Sequence, residues 1–146
     1  MLDLRPVTDT FAVSPQIAPE DVATLKAQGF TTIVNNRPDG EAPDQPAGAA
    51  LASEAAAQGL TYVEAPVRGA PTLEQGRATA EAADSAEGKT LAFCKSGTRS
   101  IAAWSLGQAA SGARAPDDLV ALAADAGYDL TPLAGLIQGA AAGPRG

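Results

Sequence analysis

An α/β fold with a mainly parallel sheet flanked by helices is predicted by three observations. Short β-rich apolar runs alternate with helical patterns along most of the 146 residues. Proline and glycine cluster between those runs, so each strand candidate ends in a loop rather than a hairpin. No internal repeat and no linker divides the chain, and one domain over 1–146 is expected, with a loose tail from about 140 to 146.

Phe11-Ala12-Val13 is the first strand candidate. Pro19-Glu20-Asp21 opens a helix through Val22, Leu25 and Lys26, which Gly29 stops. Phe30 to Val34 reads as a buried strand, and Asn35-Asn36-Arg37-Pro38-Asp39-Gly40-Glu41 as the loop after it. Residues 43–47 continue the loop, and Ala49 to Gln58 form an alanine-rich helix closed by Gly59. Leu60 to Val67 is a further strand, broken by Arg68-Gly69-Ala70-Pro71. Thr72 can cap a helix from Leu73 to about Ala83. Glu87-Gly88 turns into a strand over Thr90–Phe93, followed by a helix from Arg99 to Ala110. Ala115-Pro116-Asp117-Asp118 and Thr131-Pro132 open two closing helices, for which packing is the expected role.

Composition removes several classes of activity. A net charge of −7 argues against a nucleic-acid binder, although a local cradle on an acidic protein can still hold a small anion. Without histidine, the commonest metal ligand and general base is missing, so zinc hydrolases and Ser–His or Cys–His triads are excluded and no cofactor is expected. A single cysteine leaves no partner for an internal disulfide. Neither a signal segment nor a bilayer-length apolar run is read, so the expected setting is cytoplasmic, without a membrane partner.

The chemistry concentrates in Phe93-Cys94-Lys95-Ser96-Gly97-Thr98-Arg99-Ser100, where a strand gives way to a helix. Such a junction turns successive backbone N–H groups inward and sets a helix N-terminus under the sulfur. Cys94 and Arg99 are therefore the candidate catalytic pair, a nucleophilic sulfur in an anion-binding cradle. Gly97 permits the tight turn. Lys95 adds positive potential or is simply solvated; Ser96, Thr98 and Ser100 offer hydroxyls to the sulfur or to the helix cap. Arg37 and Arg68 are read either as ligands for substrate oxygens at the rim or as loop-bracing ion pairs. Asp39 sits in a Pro-Asp-Gly turn and is a substrate-side or bracing residue. Trp104 belongs to the core. Since parallel sheets bind ligands beyond the carboxyl ends of their strands, the loops Asn36–Glu41, Arg68–Pro71 and Cys94–Arg99 are expected to converge on one edge.

Gln16-Ile17-Ala18-Pro19-Glu20-Asp21, Gly29 through Glu41, Tyr62-Val63-Glu64-Ala65-Pro66-Val67 and the Phe93–Ser100 loop resemble the bacterial phosphatase-like domain of β-lactamase-hydrolase-like proteins (DUF442). The resemblance covers residues 1–110 or so and implies a fold like that of the dual-specificity cysteine phosphatases. Family members also occur fused to persulfide dioxygenase-like metal hydrolases, which implies a link to sulfide and persulfide metabolism and such a protein as a partner.

Two departures steer the expected reaction. Cysteine phosphatases place five residues between Cys and Arg and a His before the Cys; here four intervene, and Phe93 holds the histidine position. Cys-x-Ser-Gly-x-Arg-Ser is similar to the active loop of single-domain rhodaneses, which carry a sulfane sulfur. The loop Arg68–Pro71 also lacks the carboxylic acid that protonates a leaving oxygen, for which Asp39, Glu41 or Glu64 would have to substitute. The sequence-based expectation is thus a sulfurtransferase: Cys94 takes sulfur from a small anionic donor such as thiosulfate or glutathione persulfide and passes it to a thiol acceptor. The alternatives are a cysteine phosphatase, acting on aryl phosphates or phosphotyrosine through a Cys94 phosphoenzyme, and a persulfide or redox sensor.

Overall fold

The computed structural model describes residues 2–143. Its strands are β1 (Arg5–Pro6), β2 (Phe11–Ser14), β3 (Phe30–Asn35), β4 (Thr61–Glu64) and β5 (Lys89–Phe93). Its helices are α1 (Asp21–Ala27), α2 (Gly48–Gln58), α3 (Leu73–Asp84), α4 (Thr98–Ser111), α5 (Pro116–Asp125) and α6 (Ala134–Ala142), with a 3-10 turn over Thr131–Leu133 before α6. The strands form one sheet in the order β1-β2-β5-β3-β4. All neighbours run parallel except β1, which lies antiparallel on β2.

Side chains alternate along each strand, and the two faces of the sheet bury different helices. Ala12, Ile33, Leu91 and Phe93 pack with Val22 and Leu25 of α1 and Leu51 and Ala55 of α2. Phe11, Val13, Val34 and Ala92 face the opposite layer, built from α3, α4, α5 and α6. There the Phe11 and Trp104 rings stack with centroids 4.6 Å apart, so Trp104 is a core residue. Helices α3 and α4 approach closely because both present glycine at the crossing. A Cβ on Gly107 would overlap the Gly76 carbonyl oxygen, and one on Gly76 would lie 2.9 Å from the Ala103 oxygen.

The α/β class is as the sequence predicts, and the differences are local. Strand β1 is absent from the sequence reading because two residues including a proline carry no strand pattern; an edge position tolerates that proline. The third sequence-read strand, placed over 60–67, is regular only over Thr61–Glu64. Pro66 ends the ladder, although the Ala65 and Val67 N–H groups still donate to Asn35 and Asn36 oxygens. The tail expected to be loose is helical to Ala142, and 144–146 lie outside the described residues.

Candidate active site

Cys94 follows the last residue of β5, the strand between β2 and β3, and is fully buried with a free thiol. The chain then turns through Lys95 and Ser96 into Gly97, whose φ of +99° is left-handed backbone that glycine accepts without strain. Helix α4 starts at Thr98, one residue before the sequence reading placed it. Its first internal bond runs from Ile101 N–H to Gly97 oxygen at 3.0 Å, so the earlier N–H groups of the first turn have no helical acceptor. The Gly97 N–H donates to Cys94 Sγ at 3.0 Å. The loop's carbonyls are tied elsewhere: Lys95 oxygen accepts from Gln16 N–H at 3.4 Å and Ser96 oxygen from the Tyr128 hydroxyl at 2.9 Å. With acceptors tied to the surroundings and a donor on the sulfur, the loop has the arrangement of a cradle able to hold an anion.

Arg99 lies over this loop, held by a carboxylate from the loop after β3. Its Nη1 and Nη2 donate to the two Glu41 oxygens at 2.8 Å each, and Nη1 also donates to Val67 oxygen at 2.8 Å. Glu41 takes a further bond from Arg37 Nε at 2.9 Å, and Arg37 Nη1 reaches Gln16 Oε1 at 3.0 Å. The Arg99 hydrogen bonds, opposed by desolvation and helped by Arg37, pull the Glu41 carboxyl from 4.5 to about 2. Arg99 is correspondingly held more firmly protonated, chiefly by Glu41, with the Cys94 sulfur contributing. Glu41 is therefore ionised throughout the neutral range and cannot supply a proton to a leaving group.

Two of the three expected loops meet directly here, Asn36–Glu41 through Glu41 and Cys94–Arg99 through Arg99, and Val67 brings in the end of the β4 segment. Arg37 is buried in its bonds to Glu41 and Gln16. Asp39 Oδ1 accepts the Gly48 N–H at 2.8 Å and so fastens the start of α2. A small pocket of about 190 Å³ is lined by Asn35, Arg37, Pro38, Asp39, Glu64, Pro66 and Arg68 and by no residue of the Cys94–Arg99 loop. Lys95 and Arg68 are exposed. The Ser96 hydroxyl pairs with the Thr98 hydroxyl at 3.0 Å, and Ser100 is buried in the first turn of α4 with no protein partner for its Oγ among the described residues. No group of three or more acidic, Cys or His side chains able to hold a metal occurs among the described residues. None of their helices is long and apolar enough to cross a membrane.

Tyr128, in the link between α5 and the 3-10 turn, was missed by the sequence reading, which gave that region only packing. Its hydroxyl lies where a Cβ on Gly97 would fall. Burial, more than any neighbouring charge, raises the Tyr128 phenol above its ordinary range and keeps it a proton-bearing donor. A lone tyrosine thirty-two positions from the loop offers no sequence signal of that contact.

The family described as β-lactamase hydrolase-like protein, phosphatase-like domain, matches residues 3–111, from before β1 to the end of α4. The chain belongs to that family. A β-lactamase hydrolase-like protein of Agrobacterium fabrum is 41% identical over 123 residues, covering 83% of this chain and 28% of the relative, so the chain spans under a third of that relative's length. Among solved structures, a candidate phosphatase of Neisseria meningitidis Z2491 is 27% identical with a TM-score of 0.78, covering 92% of this chain and 96% of that one. Tk-PTP in its active form, 18% identical with a TM-score of 0.69, covers 94% of this chain and 95% of its own and shares the fold.

These likenesses overturn the sulfurtransferase expectation, with its rhodanese-type persulfide chemistry, because the family is described as a phosphatase-like domain and the Neisseria structure as a candidate phosphatase. Four residues between Cys94 and Arg99 set the length of the loop and not the anion it takes: a Gly97 N–H on the sulfur at the head of α4 suits a persulfide as well as a phosphoryl group, and the correction rests on the likenesses.

Proposed function

We propose that this chain is a cysteine-dependent phosphatase domain that hydrolyses phosphate monoesters, aryl esters foremost, through a Cys94 phosphoenzyme. The observation that carries the reading is the Gly97 N–H bond to Cys94 Sγ at the head of α4, with Arg99 braced across the same loop by Glu41. Cys94 thiolate attacks phosphorus: the S–P bond forms as the P–O bond to the leaving group breaks. Loop N–H groups and Arg99 stabilise the charge on the transferring oxygens. Water then attacks phosphorus, the S–P bond breaks, and phosphate and the thiolate are released with one proton passed to solvent.

Residues 65–71 contain no acid, and Glu41 is committed to its two arginines. A leaving group that departs as a stabilised anion is therefore favoured, which supports aryl phosphates over alkyl phosphates. The test is phosphate release from p-nitrophenyl phosphate by the wild type and Cys94→Ser, with acid-quench capture of a phosphocysteine. Release that depends on Cys94, faster for aryl than for alkyl esters, is expected. Equal release from Cys94→Ser overturns the reading.

A further inference from the structure

Of the polar groups in the cradle, the peptide joining Ser96 to Gly97 has the most consequence. Its N–H is the donor to Cys94 Sγ, and its C=O is the acceptor from Tyr128. The described residues contain no cis peptide bonds, and in a trans peptide C=O and N–H point in opposite directions. Whatever fixes one end of this unit aims the other.

The backbone itself fixes little. Glycine takes positive or negative φ about equally well, so rotation of the 96–97 peptide meets little steric resistance at Gly97. A rotated peptide would turn the Ser96 carbonyl, the negative end of the dipole, toward the sulfur. The neighbouring Lys95 and Gly97 carbonyls are tied to backbone donors, Gln16 and Ile101 N–H, whereas the Ser96 carbonyl is tied to a side chain. That side chain is itself anchored. Tyr128 N–H donates to Ala123 oxygen at 2.8 Å, and the Arg5 guanidinium lies 5.9 Å from its ring centroid. Residue 128 also lies beyond the stretch that matches the family, residues 3–111.

We propose that Tyr128 is a positioning residue for Cys94: by holding the Ser96 carbonyl outward it keeps the Gly97 N–H on the sulfur and the cradle open to an anion. The placement stands on loop geometry; its effect on phosphate binding rests on the phosphatase reading.

The experiment compares the full chain with Tyr128→Phe, which keeps the ring and removes the hydroxyl. In ¹⁵N spectra the Gly97 amide of the wild type should shift when Cys94 is replaced by Ser, and that response should collapse in the Tyr128→Phe background. Inorganic phosphate should bind about fivefold more weakly to Tyr128→Phe, the worth of one net hydrogen bond. In the wild type itself, relaxation dispersion at Gly97 should be flat, because a held peptide does not flip. An unchanged Gly97 response in Tyr128→Phe, or strong exchange at Gly97 in the wild type, overturns the inference. If the wild type neither binds phosphate nor hydrolyses aryl phosphate, the phosphatase reading falls, while the Gly97 spectra still decide the role of Tyr128.

Discussion

Replacing Glu41 by Gln tests the charge arrangement over the cradle. Glu41 receives three hydrogen bonds from Arg99 and Arg37, and its carboxyl is lowered from 4.5 to about 2. At about 1.4 kcal/mol per pH unit, this sets an upper bound of about 3 kcal/mol on the stability that ionised Glu41 contributes. The side chain is 30% exposed, so solvent screening reduces the expected figure to about 1–2 kcal/mol. Because the folded-state value is the lower one, the contribution is complete above 4.5 and is lost as pH falls toward 2. Glu41→Gln should therefore be less stable than the wild type by about 1–2 kcal/mol at pH 7, and the gap should narrow steadily between pH 5 and 2. Urea denaturation of both proteins across that range measures it. No gap at pH 7, or a gap that stays constant to pH 2, refutes the assignment of Glu41 as the counter-charge to both arginines.

Two further outcomes follow from contacts already described. Arg99→Lys keeps a positive charge but loses the planar fork that spans both Glu41 oxygens and Val67 oxygen, so turnover of aryl phosphate should fall about 10²–10³-fold; steady-state kinetics within threefold of wild type would contradict it. Gly107→Ala would push a methyl into the Gly76 carbonyl and to 2.6 Å from the Ala80 Cβ, costing about 1–3 kcal/mol. Thermal melting should show the loss while phosphate release per folded molecule is kept, and an unchanged melting temperature would mean that α3 and α4 have room to separate.

The parts of this molecule that a reader can take from sequence are those whose causes are local. The β-rich runs Phe30–Val34 and Thr90–Phe93 stand as the central strands β3 and β5, each one residue longer than the run read from sequence. Thr72 and Gln75 form a reciprocal capping box at the start of α3, where a threonine before a helical pattern marks it. Cys94, Gly97 and Arg99 are neighbours in sequence, so their loop was legible. The grip of Glu41 on Arg99 crosses fifty-eight positions, and Tyr128 reaches Ser96 across thirty-two. Neither leaves a local trace. The reaction type was misread because the four-residue spacing from Cys94 to Arg99 was set above the resemblance to a phosphatase-like family.

The position of β5 also bears on how the protein comes to exist. This strand pairs with β2, whose residues lie about eighty positions earlier, and with β3, about sixty positions earlier. Both closures must occur before the cradle has a floor, and each carries the entropic cost of a long loop. A nascent chain still lacking residues 89–99 has neither nucleophile nor cradle, and one lacking 128 has no hydroxyl for the Ser96 carbonyl. The arrangement of Cys94, Arg99 and Glu41 is therefore completed only when the sheet closes around its central strand.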